Sequence, residues 1–323
     1  MSFAGIFTAA ALAATLNASG LDQAPPGPTP QEQATQLEDV VVTGERNRVI
    51  ADRFVDTIGA PPRDRRLARW HGRVCIAVAN LPAEAAQYMI DRISAVALEL
   101  GVEPGEPGCT ANVVIVATTD SAGLATALVD EHHRAFRPGG SGMNLSMAAL
   151  EDFKTSDRPI RWWHISVPVD SDTGARAVRL PGESAPTTSG SRASRLRSNI
   201  RDDLNKVIII IDVDRLGDTT FEGLTEYVSL VALAQVDSRA DTTELPTVLN
   251  LFADGTPGLT AWDHAYLQAL YHAEPNRASA TAQAGDLAGL MVRERREQES
   301  SEAPTAAAGS LLRRPDRQAL GLP

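Results

Sequence analysis

Two periods of hydrophobic and polar residues alternate along the chain. Residues 74–79, 112–118 and 207–213 read VCIAVA, NVVIVAT and VIIIIDV, nearly unbroken apolar runs that predict strands covered on both faces. Between the first two, Met89, Ile90, Ile93 and Ala97 recur three and four residues apart, the stripe of a helix with one apolar face. That helix is predicted to start near Asn80 and Pro82 and to stop at Gly101. Strand, helix and strand in this order imply a parallel pair with a right-handed crossover. A helix over 121–136, a break at 137–144 and a short helix in LSMAALEDF come next, followed by a third strand in PIRWWHISVPV, residues 159–169. Residues 170–194 have no period and read as a mobile polar insertion. A short helix is predicted around 196–204, before the strand at 207–213.

Helix starts are written in capping pairs. Thr219 with Glu222 opens a helix reaching about residue 236, Thr260 with Asp263 opens another, and a last helix covers 278–298. No internal repeat is present. The predicted architecture is one α/β (α+β) domain over residues 45–298, a mixed sheet with helices.

The ends change the picture of where this domain works. Residues 3–16 are small and apolar, too short to span a bilayer, and lead into NASG, where Ala18 and Gly20 suit a signal-peptidase site. Residues 1–20 therefore read as a secretory signal, although no Lys or Arg precedes the apolar run. The alternatives are a buried N-terminal helix or a start placed too far downstream, with the true one further upstream. Residues 21–44, with QAPPGPTPQEQATQ at 23–36, have the composition of a flexible linker, and 299–323 read as a disordered tail. No later apolar run reaches membrane length, so the expected product is a periplasmic or secreted protein of a Gram-negative bacterium.

The net charge of −11 argues against a nucleic-acid partner, since phosphate binding needs a basic face. Arg192, Arg195, Arg197 and Arg201 cluster locally, but in a Ser-rich setting that reads as a solvated loop in preference to an anion site. Cys75 and Cys109 are the whole cysteine complement. They adjoin the two strands predicted to pair, and export favours a disulfide between them, worth about 3 to 4 kcal/mol for a loop of this size. Without export, two buried thiols would be the better reading.

Candidate chemistry is concentrated in one helix, TEYVSLVALAQ, residues 225–235. It resembles the metzincin zinc-protease helix, whose H-E-x-x-H-x-x-G-x-x-H pattern sets histidines one turn apart with a glutamate as base on zinc-bound water. Thr225, Glu226, Ser229, Ala232 and Gln235 fall on the five motif positions, and only the glutamate is retained. Downstream, residues 247–273 resemble the metzincin Met-turn and the helix after it. Leu249 stands at the methionine position and Leu251 at the tyrosine, while Leu259, Thr260, Asp263, Leu267, Gln268, Leu270 and Tyr271 match the helix part.

The resemblance implies a zincin-like fold over most of 70–273 whose protease site is degenerate. Thr225, Ser229 and Gln235 carry neutral side chains that are poor zinc ligands, so no metal or cofactor is expected and Glu226 has no activated water to use. On this reading the helix packs behind an edge strand at 207–213, with Thr225, Ser229 and Gln235 facing a common cleft and Leu249 in its floor. The bland alternative is an unrelated core helix with one acidic residue. His132 and His133 diverge on a helix, and His264 and His272 lie two turns apart, so neither pair rebuilds a site.

Three other stretches carry weaker signals. In IRWWHI, Trp162 and His164 share a strand face and could stack on a ligand in the cleft, or could simply be core. Asp212 and Asp214 have a spacing that could hold calcium but lack a ligand loop, so strand-end solvation is favoured. LEDVVVTGERNR, residues 37–48, resembles the TonB box of outer-membrane receptors, an extended segment suited to strand addition. No receptor barrel follows it, and a first strand of the domain is the preferred account of Val40 to Val42. The expectation is thus a non-catalytic, metzincin-like domain that binds or scaffolds an unknown peptide or protein. A hydrolase built around Glu226 and a TonB-engaging adaptor using 37–46 are the alternatives.

Overall fold

A computed structural model describes residues 30–138, 143–178, 186–188 and 194–311, with side chains described from Gly44 to residue 301. Residues 1–20, expected to be a secretory signal, Arg192 and the end of the chain from 312 lie outside the described residues. The chain divides into a short unit, Met1–Thr43, of which the described part is helical, and a main unit, Gly44–Pro323.

In chain order the elements are α1 (Pro30–Ile58), β1 (Ile76–Ala79), α2 (Ala83–Glu99), β2 (Val113–Thr118), α3 (Ser121–Glu131) and the single turn α4 (His133–Phe136). Then come α5 (Met147–Thr155), β3 (Ile160–Asp170), β4 (Ile200–Asp212), α6 (Phe221–Leu233), the single turn α7 (Leu251–Asp254), α8 (Ala261–His272) and α9 (Ala280–Leu311). The strands form one mixed sheet in the order β1-β2-β4-β3, parallel except for β3, which runs antiparallel to β4.

The sheet is covered on both faces, and the two-residue period of its strands sorts their side chains between two cores. Val207, Ile209, Ile211 and Trp162 join the larger core with residues of α1, α2, α6, α8 and α9, while Ile208, Ile210, Trp163 and Ile165 face α3, α4 and α5. The α/β class, the parallel β1–β2 pair and the third strand agree with the sequence pattern. The disulfide is present as well: Cys75 and Cys109 are bridged, with Cα atoms 6.1 Å apart.

Several expectations are corrected. Strand 207–213 is not at an edge; β4 pairs with β2 on one side and β3 on the other, and β3 is the antiparallel edge. Its unbroken apolar run is the signature of such an interior strand. The helix expected at 196–204 is replaced by the first part of β4, because pairing with β3 continues past a bulge at Ile165/Ser166 and brings Leu204 and Asp202 inside. Residues 37–48, expected to be extended, lie within α1, whose later part buries Ala51, Phe54, Val55 and Ile58 at helical spacing. Asn80 is no cap; it adopts φ 62° ahead of Pro82, where α2 begins. His132 interrupts the helix expected over 121–136. Residues 300–311, expected in a disordered tail, continue α9.

Candidate functional site

α6 begins where Thr220, one residue later than expected, accepts a hydrogen bond from the Gly223 N–H through its hydroxyl. From Gly223 to Leu233 every residue except Glu226 is buried. A helix that is sealed all round belongs inside a protein, and α6 packs against α2, α7, α8, β4 and the turn at 248–250. Thr225, Ser229 and Gln235 are fully buried, so the cleft expected in front of them is interior. The chemistry permits this because both hydroxyls and the Gln235 carbonyl oxygen find partners nearby. The Thr225 hydroxyl donates to Phe221 O and the Ser229 hydroxyl to Thr225 O, each at 2.8 Å, within their own helix. Gln235 Oε1 accepts from the Ala68 N–H at 3.0 Å, while its Nε2 is buried without a partner.

The end of α6 explains Trp70 and, on β3, Trp162 and His164. A helix leaves its last carbonyls unbonded, and inside a protein they need donors. His164 Nε2 donates to Val231 O at 2.8 Å, which fixes the ring tautomer because a carbonyl can only accept. Trp70 Nε1 donates to Ala232 O at 2.9 Å and the Tyr271 hydroxyl to Leu233 O at 2.7 Å. Just past the helix, Trp162 Nε1 donates to Val236 O at 2.9 Å. Trp162 and His164 are therefore buried parts of a helix seal, with Trp162 edge-on to Tyr227, and their outlet is a small cavity of about 150 Å³ beside Val236. Burial holds the His164 imidazole down at about 4, against the opposing pull of its bonds to the Val231 and Ala234 backbone.

Glu226, the one motif residue retained, turns toward α2. Its carboxylate takes a forked pair of bonds from Arg92, Nε to Oε1 at 2.5 Å and Nη2 to Oε2 at 3.1 Å. It thus bridges two helices, and no local pattern marks Arg92, 134 residues away, as its partner. The stretch at 247–248 is latched to α8 by Asp263. Thr247 Oγ1 donates to its Oδ1 at 2.6 Å, while the N–H groups of Val248 and Thr260 donate to its Oδ2 at 2.8 Å each. The capping box expected from Thr260 and Asp263 is formed. Burial is the main influence on Asp263 and pushes its carboxyl up, with these bonds opposing. Leu249, in the middle of the 248–250 turn, is partly buried and packs against the larger core.

A polar cavity of about 410 Å³ lies elsewhere, walled by Arg69, His71, Arg73, Glu103 and Tyr271. His71 Nδ1 sits 2.8 Å from Asp203 Oδ1, and Asp203 also receives Arg201 Nε at 2.9 Å. Burial pushes Asp203 up, but the bonds and charges of His71 and Arg201 outweigh it and leave this carboxyl below its usual range. Arg69 Nη1 donates to the carbonyls of Leu270 at 2.7 Å and Ala273 at 3.0 Å at the end of α8. Burial pulls the Arg69 guanidinium below its usual value. The sequence reading passed over this group. The alternation Arg69, His71, Arg73 in RWHGR was its available signal, since an extended segment places every second residue on one side.

Asp212 and Asp214 form no open pair: Asp212 accepts from the Ser121 hydroxyl at 2.6 Å and from the Asp214 N–H at 3.3 Å. Arg197 and Arg201 of the basic cluster are paired with Glu274 and Asp203. Among the described residues, no three His, Cys, Asp or Glu side chains gather in a metal-holding group, and no helix is long and apolar enough to cross a membrane.

No family model, curated protein or solved structure matches the chain. What the domain does has to be read from its own geometry.

Proposed function

We propose that the chain is an exported, non-hydrolytic domain that binds or scaffolds a peptide or protein ligand, built on a metzincin-like core whose catalytic positions have become packing. The observation that carries this reading is the fully buried state of Thr225, Ser229 and Gln235, with both hydroxyls donating to carbonyls of their own helix. A ligand or base must meet solvent or substrate to act, and side chains closed into a core do not. Glu226 supports the same reading, because its two oxygens are engaged by Arg92. Export is supported by the Cys75–Cys109 bridge, since disulfides persist in oxidising compartments. The adaptor alternative is not adopted, because residues 37–46 lie within α1 and strand addition would first require that helix to unwind.

The test is a peptidase assay of the purified chain on casein and on a mixed peptide library, beside Glu226→Gln. The expected result is no turnover by either protein. Turnover by the unmodified chain that disappears in Glu226→Gln would establish the hydrolase alternative.

A further inference from the structure

We infer that the cavity walled by Arg69, His71 and Arg73 binds an oxyanion, a carboxylate or phosphate group, taken up together with a proton on His71. The inference rests on the reading above, that the domain binds its ligand without hydrolysing it. Its volume, about 410 Å³, falls in the range typical of small-ligand sites.

Charge is the first argument. The chain carries a net charge of −11, yet this cavity is walled by two guanidinium groups, Arg69 and Arg73, against one carboxylate, Glu103. Glu103 pairs with Arg73 at 3.1 Å, but both side chains are more than half exposed, so the contact is weak and exchangeable. The Arg69 bonds to the Leu270 and Ala273 carbonyls and its 3.4 Å contact to His71 are to neutral acceptors, which orient the guanidinium without cancelling its charge.

The second argument is the state of His71. A carboxylate only accepts, so the bond to Asp203 places a hydrogen on Nδ1 and leaves a lone pair on Nε2. That lone pair meets only the Arg69 Nε–H, at the long distance of 3.4 Å. An arriving oxyanion changes the balance: a proton on Nε2 turns this acceptor into a donor, and Asp203 stays on Nδ1 to stabilise the imidazolium. The other charged or titratable groups nearby are Arg201 on β4, bonded to Asp203; Glu103 ahead of β2; Glu106, exposed and 4.0 Å from Arg73; Tyr271 on α8; and Glu274, held by Arg197 at 2.7 Å. Tyr271 places its ring beneath the Arg69 guanidinium, 6.0 Å from centroid to Cζ, and donates its hydroxyl proton to Leu233 O.

The test is calorimetric titration of the full chain near neutral pH with two probes, inorganic phosphate and acetyl-dialanine, in two buffers of different ionisation enthalpy. Saturable binding of either probe, with a heat that depends on the buffer in the sense of proton uptake, is expected. Phosphate alone would identify a phosphate-bearing ligand, and acetyl-dialanine alone a terminal carboxylate. His71→Asn keeps a donor for Asp203 and should abolish proton uptake and weaken binding about tenfold, the scale of one charge-assisted bond. Arg73→Gln, at an exposed position that leaves the fold intact, should weaken binding by a similar factor. Absence of binding by both probes up to about 10 mM, a weak limit for a specific site, or binding unchanged in both variants, would overturn the inference. Cleavage of acetyl-dialanine by the chain would instead refute the binding reading on which it rests.

Discussion

His164 offers the sharpest quantitative check on the sealed end of α6. The imidazole is fully buried, donates to Val231 O, and is held down at about 4, whereas an unfolded chain leaves histidine near 6.5. Because the folded value is the lower one, the unfolded state binds the proton more readily. The contribution of His164 is therefore complete above the unfolded value and is lost as pH falls through the interval toward the folded one. Between about pH 7.5 and about pH 4.5 the linkage expression for one group in two states gives about 2 to 3 kcal/mol, most of its limiting value.

The perturbation is His164→Gln, whose amide can still donate to Val231 O but does not titrate. The assay is urea unfolding of both proteins at the two pH values, reading the change in stability with pH for each. Any baseline cost of the substitution cancels, as do carboxylates shared by both chains. The unmodified protein should lose about 2 to 3 kcal/mol more than the variant over this interval. Parallel losses would mean that His164 meets water in the folded state, and the account of a closed core at the end of α6 would fall with it.

Four further outcomes follow from the packing. Thr225→Val and Ser229→Ala remove hydroxyls bonded only within α6, so each should shift stability by no more than about 1 kcal/mol in thermal or urea unfolding, where loss of a tertiary bond would cost more. Asp263→Asn should cost about 2 to 3 kcal/mol, because the amide cannot accept every bond that Thr247, Val248 and Thr260 direct at this buried carboxylate. Replacing Cys75 and Cys109 together by Ser should cost about 4 kcal/mol under oxidising conditions, the chain-entropy value for the span they close. Gly105→Ala should leave a measurable fraction of free thiols on alkylation and mass spectrometry, since a Cβ there would collide with Cys109 Sγ and crowd Cys75 Cβ at 3.2 Å.

The elements legible in the sequence are those whose own periodicity matches their burial. β1, β2 and the core of β4 are continuous apolar runs, α2 has an apolar stripe, and α8 announces itself by its Thr260–Asp263 box. Misread segments are those decided by a distant partner. Leu196, Ile200 and Leu204 have helical spacing, yet Ile200 onward is a strand because β3 supplies a ladder for it. Val40 to Val42 favour extended backbone by propensity, yet lie within α1, which has its anchor further along in Phe54 and Ile58. The candidate site divides the same way. That Thr225, Ser229 and Gln235 are unfit for zinc is plain from their side chains, but their burial is not. It depends on Trp70 from the loop before β1, Trp162 and His164 from β3 and Tyr271 from α8 converging to bond the end of one helix. The His71–Asp203 pair joins a loop before β1 to the start of β4, and no local pattern encodes it.

The central claim is that Thr225, Ser229 and Gln235 are core and hold no metal. It is met most directly by measuring the zinc content of the purified chain by inductively coupled plasma mass spectrometry, after equilibration with a slight excess of zinc and dialysis. The account predicts less than about 0.1 zinc per chain, unchanged in Glu226→Gln, since neutral buried hydroxyl and amide groups offer no ligand set. Zinc approaching one per chain, released by substitution of Thr225, Ser229 or Gln235, would contradict it.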